Sequence, residues 1–298
     1  MKTLLSIIIV SYNTEKITKQ CLDSIYSSFA DTHNLPFEII VIDNNSQDGS
    51  VPMLQQQFTL HKELILVKNK ENVGFGKANN QAVRLAKGEY ILLLNSDIIV
   101  LENAIENLFT FYREHEEKFQ FLGPTLRNKD LSLQPSAGSF YSPFVVFGAL
   151  FLKGDYWGLT RSSPRAIRRV DWVSGACILT KKKYYQDLNG MDEGIFMYME
   201  EVDLLYRARQ KNLITGFYPN AEFIHLGSAS SGGKTYPILQ VYKGFKYFYR
   251  KHYSSLDIFL LKIMLQLKAL ISLLIGFLTN NRYLKETYGK AYQMAVMD

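Results

Sequence analysis

Two adjacent carboxylates, Glu200 and Glu201, follow an apolar and aromatic run, Ile195–Met199, with Asp192-Glu193 just upstream and Asp203 just downstream. Asp203 has Arg207 one helical turn on, the spacing of a structural ion pair. Glu200 and Glu201 have no cation at that spacing, which leaves at least one of them available for work. A carboxyl group beside apolar surface keeps a raised proton affinity and can act as a general base, worth roughly 10²–10⁴-fold in rate. The same pair would also suit the solvated first turn of a helix, where negative charge is favoured.

Asp97 ends the apolar run Ile91–Leu94 by way of Asn95 and Ser96. A carboxylate at the tip of a buried strand can hold a divalent cation, Mg²⁺ or Mn²⁺, which takes oxygen ligands and bridges a diphosphate. It can equally cap the next helix or turn. His225 follows the strand-like Ala221–Ile224 and precedes Leu226-Gly227-Ser228. A histidine there is ordinarily structural, and becomes a metal ligand if Asp97 and a diphosphate lie near it. Asp43-Asn44-Asn45-Ser46 follows another apolar run and could hydrogen-bond a base and ribose, or make Asx turns. Asn72 to Asn80, with Gly74, Gly76, Lys77 and Asn79, reads as a turn into a helix. Its amides and Lys77 suit an anion, although a glycine pair also simply permits a tight turn.

These polar clusters need a scaffold that brings them together. Leu5–Val10 reads as a buried strand, Phe37–Ile42, Leu64–Lys68 and Tyr90–Leu94 as further strands, and Thr14–Phe29, Ser50–Phe58 and Gly76–Ala86 as the helices between them. This alternation implies an α/β fold, a mostly parallel sheet with helices on both faces, whose ligands bind at the carboxyl ends of the strands. Further helices are expected over Glu102–Phe119 and Glu200–Lys211, with a strand-like segment at Val170–Leu179. Lys129–Arg168, rich in Gly, Ser, Pro and aromatics, reads as an irregular, mobile loop region.

The 298 residues suffice for a substantial core, and 47% apolar with 21% charged residues excludes a disordered chain. The net charge of +6 suits anionic phosphates or lipid. No nucleic-acid-binding signature accompanies it, so nucleic acid is not an expected partner. Cys21 and Cys177 lie far apart in apolar contexts, which points to a reducing compartment and no disulfide framework. Lys2 and the apolar run behind it could pass for a signal peptide, but a buried first strand explains the run better.

Beyond Gly233 the composition changes. Tyr236–Tyr253 carries seven aromatic residues among Lys243, Lys246, Arg250 and Lys251. Leu256–Leu278 has the length to span a bilayer, yet Lys262, Gln266 and Lys268 interrupt it. A C-terminal helical tail lying in the cytoplasmic membrane interface is expected, with the basic residues upstream meeting anionic lipid. Packing on the protein's own core, or on a second copy as a homodimer, is the alternative.

Seven short stretches, taken in order, resemble glycosyltransferase family 2, in particular its rhamnosyltransferase-like branch. They are Ile9-Val10-Ser11-Tyr12-Asn13, Val41 to Ser46, Asn72 to Phe75, Leu94 to Asp97, Ser174-Gly175-Ala176, Gly190 to Glu193, and Met199 to Asp203. The resemblance spans about residues 4–230. It implies a GT-A fold over residues 1–233, with a nucleotide-binding half to about 100, an acceptor half to 233, and the tail at 234–298. It implies that Asp43 and the Ser11-Tyr12 region hold the base, that Asp97 ends a metal motif whose first carboxylate is replaced by Asn95, and that Glu201 is the catalytic base beside Glu200. Asn13, Asn45, Asn72, Gly74, Lys77, Asn79, Ser96, Trp172 and Gly175 complete the expected surface for a nucleotide-diphosphate sugar, with Asp97 and His225 as metal ligands. The implied reaction is inverting transfer, with L-rhamnose from dTDP-rhamnose as donor and a lipid-linked or polysaccharide acceptor, at the inner face of the cell membrane. A UDP-sugar donor, or a non-catalytic membrane-tethered scaffold, are the alternatives. A nucleotidyltransferase would want a Gly-rich basic loop after the first strand, which Ser11-Tyr12-Asn13-Thr14 lacks.

Overall fold

The computed structural model describes residues 3–29, 35–227 and 235–297; Lys2, Ser228 and the boundary expected at 233 lie outside them. The first seven elements alternate as expected: β1 (Leu5–Ser11), α1 (Glu15–Phe29), β2 (Phe37–Asp43), α2 (Ser50–Gln57), β3 (Leu64–Lys68), α3 (Phe75–Leu85) and β4 (Tyr90–Asn95). Ile7, Ile8 and Ile9 are all fully buried, so β1 is covered on both faces. Each such side chain contributes about 1.5–3 kcal/mol of burial. The apolar start of the chain is therefore a central strand.

There follow β5 (Ile98–Val100), α4 (Ala104–Glu114), β6 (Phe121–Arg127), β7 (Leu133–Gln134), β8 (Ala137–Gly138) and α5 (Pro143–Phe151). Next come β9 (Arg161–Ser162), β10 (Arg168–Val170), β11 (Trp172–Val173), β12 (Cys177–Lys181), α6 (Lys182–Asp187), α7 (Glu200–Gln210) and β13 (Thr215–His225). The main sheet runs β10-β13-β6-β12-β4-β1-β2-β3, with β5 on β13 and β7 on β6. β3, β2, β1 and β4 are parallel, β12 enters antiparallel to β4 and β6, and β13 runs parallel to β6. A core on one face is built with α1, α2 and α4, and a core on the other with α3, α7 and α8 (Thr235–His252).

Register does the positioning. In the β1–β2 pair Ser11 stands opposite Asp43, and in β1–β4 Val10 stands opposite Asn95. β5 pairs His225 with Ile98, and the Leu226 amide donates to the Asp97 carbonyl oxygen at 3.0 Å. The three strand-end motifs and His225 thus meet along one edge.

Several boundaries differ from the sequence reading. The helix expected over Glu102–Phe119 ends at Glu114. Val170–Leu179 takes in the end of β10, all of β11 and the start of β12, with the turn at Ser174-Gly175-Ala176 before β12, because β11 joins a second sheet, β11-β8-β9. Lys129–Arg168, read as irregular, contains α5, which starts with Pro143 and has the Ser142 side chain capping the Val145 amide.

The tail forms α8, α9 (Ser255–Leu278) and α10 (Arg282–Val296), packed together, with α9 also against α5. Ser254 and Asp257 form a capping box at the start of α9. α8 is tied to the main body: Phe245, Phe248 and Tyr249 are buried in its core. Two of the lysines expected to meet lipid are engaged inside the protein instead. Lys251 bridges Asp192 and Asp203 at 2.5 and 2.8 Å, and Lys246 donates to the Met294 carbonyl oxygen at 2.7 Å.

Candidate active site

A cleft of about 310 Å³ opens at the carboxyl ends of β1 and β4. Asn95, Ser96, Asp97, Trp172, Gly175, Glu200, Glu201 and His225 line it, eight of the residues that the sequence singled out. Tyr141, Arg161, Tyr198 and Phe245 line it too.

The acidic stretch is sorted by the structure into two roles. Asp203 is fully buried and accepts from Arg207 at 2.6 Å, Lys251 at 2.8 Å and His252 at 2.7 Å. Burial would raise its pKa, but these partners outweigh it and hold the carboxyl at about 2. Asp192 is held by Lys251 and Tyr247, and Glu193 by Asn80 and Arg84. Glu200 and Glu201 are different: each has a buried Oε2 without a hydrogen-bond partner. Glu200 is 5% exposed, so the pair does not form a solvated helix end. Burial raises both carboxyls, Glu200 well above its ordinary value with the charge of Glu201 adding to it. For Glu201, hydrogen bonds from its own amide and the nearby Arg161 oppose the rise.

The backbone aims this pair. Tyr198 and Met199, immediately before α7, both take left-handed φ, 65° and 81°, unusual for side chains of their size. Gly175 makes room for Glu201: a Cβ there would stand 3.3 Å from the Glu201 Cβ.

On the opposite side, His225 Nε2 lies 3.3 Å from Asp97 Oδ1. Gln134 donates its amide to Asn128 and to the His225 carbonyl, so its Oε1 accepts from His225 Nδ1 at 2.7 Å. That arrangement places the imidazole proton on Nδ1, so the Nε2 lone pair, on the cleft side, accepts from the Asn95 side-chain amide at 3.4 Å. Asn95 Oδ1 is buried without a partner. One carboxylate, one amide oxygen and one imidazole nitrogen form a donor set that fits a divalent cation with a diphosphate completing its shell. Among the described residues no cluster of three or more His, Cys, Asp and Glu side chains occurs, so the fit depends on the asparagine.

The remaining expected residues stand outside the cleft lining. Asp43 is buried, its Oδ1 accepting from the Ser46 amide as an Asx turn while Oδ2 has no partner. Asn13 accepts from the Gln47 amide, joining the β1 and β2 turns, and Asn45 takes a left-handed φ in the second of these. Ser11 bonds Thr14 and Thr18, and Thr14 in turn reaches Ser96. Tyr12 is half-buried beside Ser11. Asn72 is bound to Asn44 and to the Gly74 amide, and Asn79 to the Phe75 carbonyl. Lys77 is half-buried on α3.

Sequence reasoning missed Arg161, Tyr141 and Gln134, and it took in Asn44 and Asn80 only as members of longer polar stretches. Asn80 links α3 to the acidic stretch through Met191, Glu193 and Tyr185. Arg161, Tyr141 and Gln134 fall in the stretch read as irregular, where no periodicity marks them.

Residues 6–174 match the family model described as Glycosyl transferase family 2. The chain is 27% identical over 218 residues to N-acetylglucosaminyl-diphospho-decaprenol L-rhamnosyltransferase of Mycobacterium tuberculosis, covering 66% of this chain and 69% of that one. It is 29% identical over 230 residues to rhamnosyltransferase WbbL of Escherichia coli, covering 74% and 82%. Among solved structures, S. aureus TarS 1–349 in complex with UDP-GlcNAc superposes with TM-score 0.61 at 16% identity, over 99% of this chain and 82% of that one. The chain spans 39% of a longer TarS. The mannosyltransferase PcManGT from Pyrobaculum calidifontis, in complex with GDP-Man and Mn²⁺, superposes with TM-score 0.58 at 14% identity, over 99% and 73%.

Proposed function

The chain belongs to glycosyl transferase family 2 and has a GT-A fold, and from that premise we propose that it transfers L-rhamnose from dTDP-rhamnose to a lipid-linked or polysaccharide acceptor in cell-surface glycan synthesis. The observation that carries the reading is the pair of buried, partnerless carboxyl oxygens on Glu200 and Glu201, facing the Asn95, Asp97 and His225 donor set across one cleft. Rhamnose is supported by the two rhamnosyltransferases among the relatives.

Glu201 accepts the proton of an acceptor hydroxyl as that oxygen attacks the anomeric carbon. The nucleotide diphosphate leaves from the opposite side, so the configuration inverts in a single displacement without a covalent enzyme intermediate. Burial raises the proton affinity of Glu201, which suits a base that must hold the proton through the step. Asn95, Asp97 and His225 would hold the divalent cation, which when bound neutralises charge on the departing diphosphate. Asp43 Oδ2, buried without a partner at the end of β2, is the acceptor offered to a base N–H.

Membrane attachment is part of the proposal. On α9, Leu256, Phe259, Leu260, Ile263, Leu267, Leu270, Ile271, Leu274 and Leu278 are exposed along one stripe. At 100° per residue, Lys262 and Lys268 stand on its two flanks, where their stems can lie on apolar surface with the ammonium groups in the headgroups. This favours a helix lying in the cytoplasmic face of the membrane over a spanning one.

The test is nucleotide release from a panel of dTDP- and UDP-sugars with a lipid-linked acceptor, Mg²⁺ or Mn²⁺, and a chelator control, for wild type and Glu201→Gln. Metal-dependent release from dTDP-rhamnose, lost in the variant, supports the reading. Release from a UDP-sugar alone would replace the donor, and no release from any donor by folded protein would overturn transfer itself.

A further inference from the structure

Arg161 lines the cleft with Glu201, and its Nε is buried without a hydrogen-bond partner. Among the described lining residues it is the one side chain that is cationic at every accessible pH. Its guanidinium carbon lies 5.3 Å from the centroid of the Trp172 ring. Trp172 is 1% exposed and fixed by its indole N–H to the Ser139 carbonyl at 2.8 Å. A rigid aromatic face thus holds the guanidinium from below and leaves its donors for a ligand with acceptor oxygens.

Position says which ligand. Arg161 stacks on Trp172, three residues before Gly175, which packs against the Glu201 side chain, while the diphosphate-leaving side is built from Asp97, His225 and Asn95. An anion at Arg161 therefore belongs to the molecule whose hydroxyl meets Glu201. The chain leading into β9 is exposed and apolar: Tyr156 is 79%, Trp157 68% and Leu159 68% exposed, and Phe144 projects from α5 nearby in sequence at 89%. α5 packs against α9, whose exposed stripe was assigned above to the membrane surface. A cation in the cleft with its Nε unpartnered, two residues along the chain from the exposed Leu159, fits an amphiphile with a phosphate head.

We propose that Arg161 grips the phosphate of a lipid-diphosphate acceptor, whose hydrocarbon chain lies over Tyr156, Trp157, Leu159 and Phe144. This rests on the transfer reading above and adds to it the class of acceptor and the residue that selects it.

The test measures binding, so that it does not depend on turnover. Calorimetry with farnesyl diphosphate in detergent, at saturating dTDP so that the nucleotide site is filled, compares wild type, Arg161→Lys and Arg161→Ala. Charge-assisted bonds to a phosphate predict about 10- to 100-fold weaker binding for Arg161→Ala, with Arg161→Lys between the two because it keeps charge but loses the planar fork. The affinity for dTDP alone is expected to be the same in all three. Equal farnesyl diphosphate affinity in wild type and Arg161→Ala overturns the proposal. So does a loss of dTDP affinity, which would assign Arg161 to the donor. A displaced pH–rate profile with unchanged lipid-diphosphate affinity would make Arg161 only a partner of Glu201. Should the donor panel fail while farnesyl diphosphate still distinguishes the variants, the acceptor assignment stands and the transfer reading falls.

Discussion

Gly74 and Phe196 are in backbone contact. The Phe75 amide donates to the Phe196 carbonyl at 3.0 Å, and a Cβ on Gly74 would stand 2.7 Å from that same oxygen. With φ at 86°, Gly74 also occupies backbone space that other residues rarely enter. The turn before α3 is thereby clamped onto the segment that delivers Glu200 and Glu201. Gly74→Ala is expected to cost about 1–3 kcal/mol by chemical denaturation. Because Phe196 is displaced, turnover should fall further than the lost stability accounts for. Turnover equal to wild type in the folded variant would remove the clamp from the site.

Glu201→Gln keeps the shape of the side chain and removes its proton affinity. Turnover at saturating substrates is expected to fall at least ~10²-fold, with dTDP-sugar affinity retained. The wild-type rate should rise with pH along a limb displaced above the ordinary carboxylate range, belonging to the Glu200–Glu201 pair rather than to one residue. A limb at the position of an exposed glutamate would remove burial as its cause.

The same burial gives a stability signature. A carboxyl whose pKa is raised in the folded protein contributes stability that is full below its unfolded pKa and is lost as pH rises through the folded pKa. Wild type should therefore lose stability, relative to Glu200→Gln, as pH rises above the ordinary carboxylate range. The gap in Tm between them should widen with pH. A constant gap would mean that Glu200 gains a compensating partner when ionised.

Asp203 has the opposite sign. Its pKa is held at about 2, so its stabilisation is present above the unfolded value of about 4 and is lost as pH falls toward 2. Asp203→Asn breaks a fully buried cluster with Arg207, Lys251 and His252. It is expected to cost roughly 3–5 kcal/mol at neutral pH and to flatten the acid limb of the stability curve. A variant that parallels wild type down that limb would show that other carboxylates control acid unfolding.

For the membrane reading, the paired change Leu267→Glu and Ile271→Glu places two charges in the centre of the exposed stripe of α9. Sedimentation with anionic phosphatidylglycerol vesicles is expected to recover wild type with the lipid and leave the variant in solution, both remaining folded. Equal recovery would release α9 from the membrane and make a second copy of the chain its partner.

β1, β2 and β4 were legible in the sequence because they are buried apolar runs, and polar clusters stand where those runs stop. Asp97, Glu200 and Glu201 stood out as carboxylates beside apolar runs, with capping and a solvated helix end as open alternatives until the family resemblance assigned them roles, and Asp203 could be set aside by the spacing of Arg207. The stretch from Lys129 to Arg168 was illegible for a physical reason. α5 is nine residues with Val146 its one fully buried side chain, and β7, β8 and β9 are two residues each. None of these is long enough to display a period. Arg161 and Gln134 owe their importance to what they meet across the fold: Trp172 in one case and His225 in the other.

β4 and β12 are laddered from Leu94↔Cys177 to Tyr90↔Lys181, and β4 is also paired with β1. The strand that leads to Asp97 and the strand that follows Gly175 therefore share one continuous backbone ladder. A hinge between the donor-side and acceptor-side halves would have to break those bonds. Substrates must instead be admitted by side chains and short connecting segments moving over a floor that stays still, which makes the sheet the fixed gauge of the distance between the Asn95–Asp97 edge and Glu201.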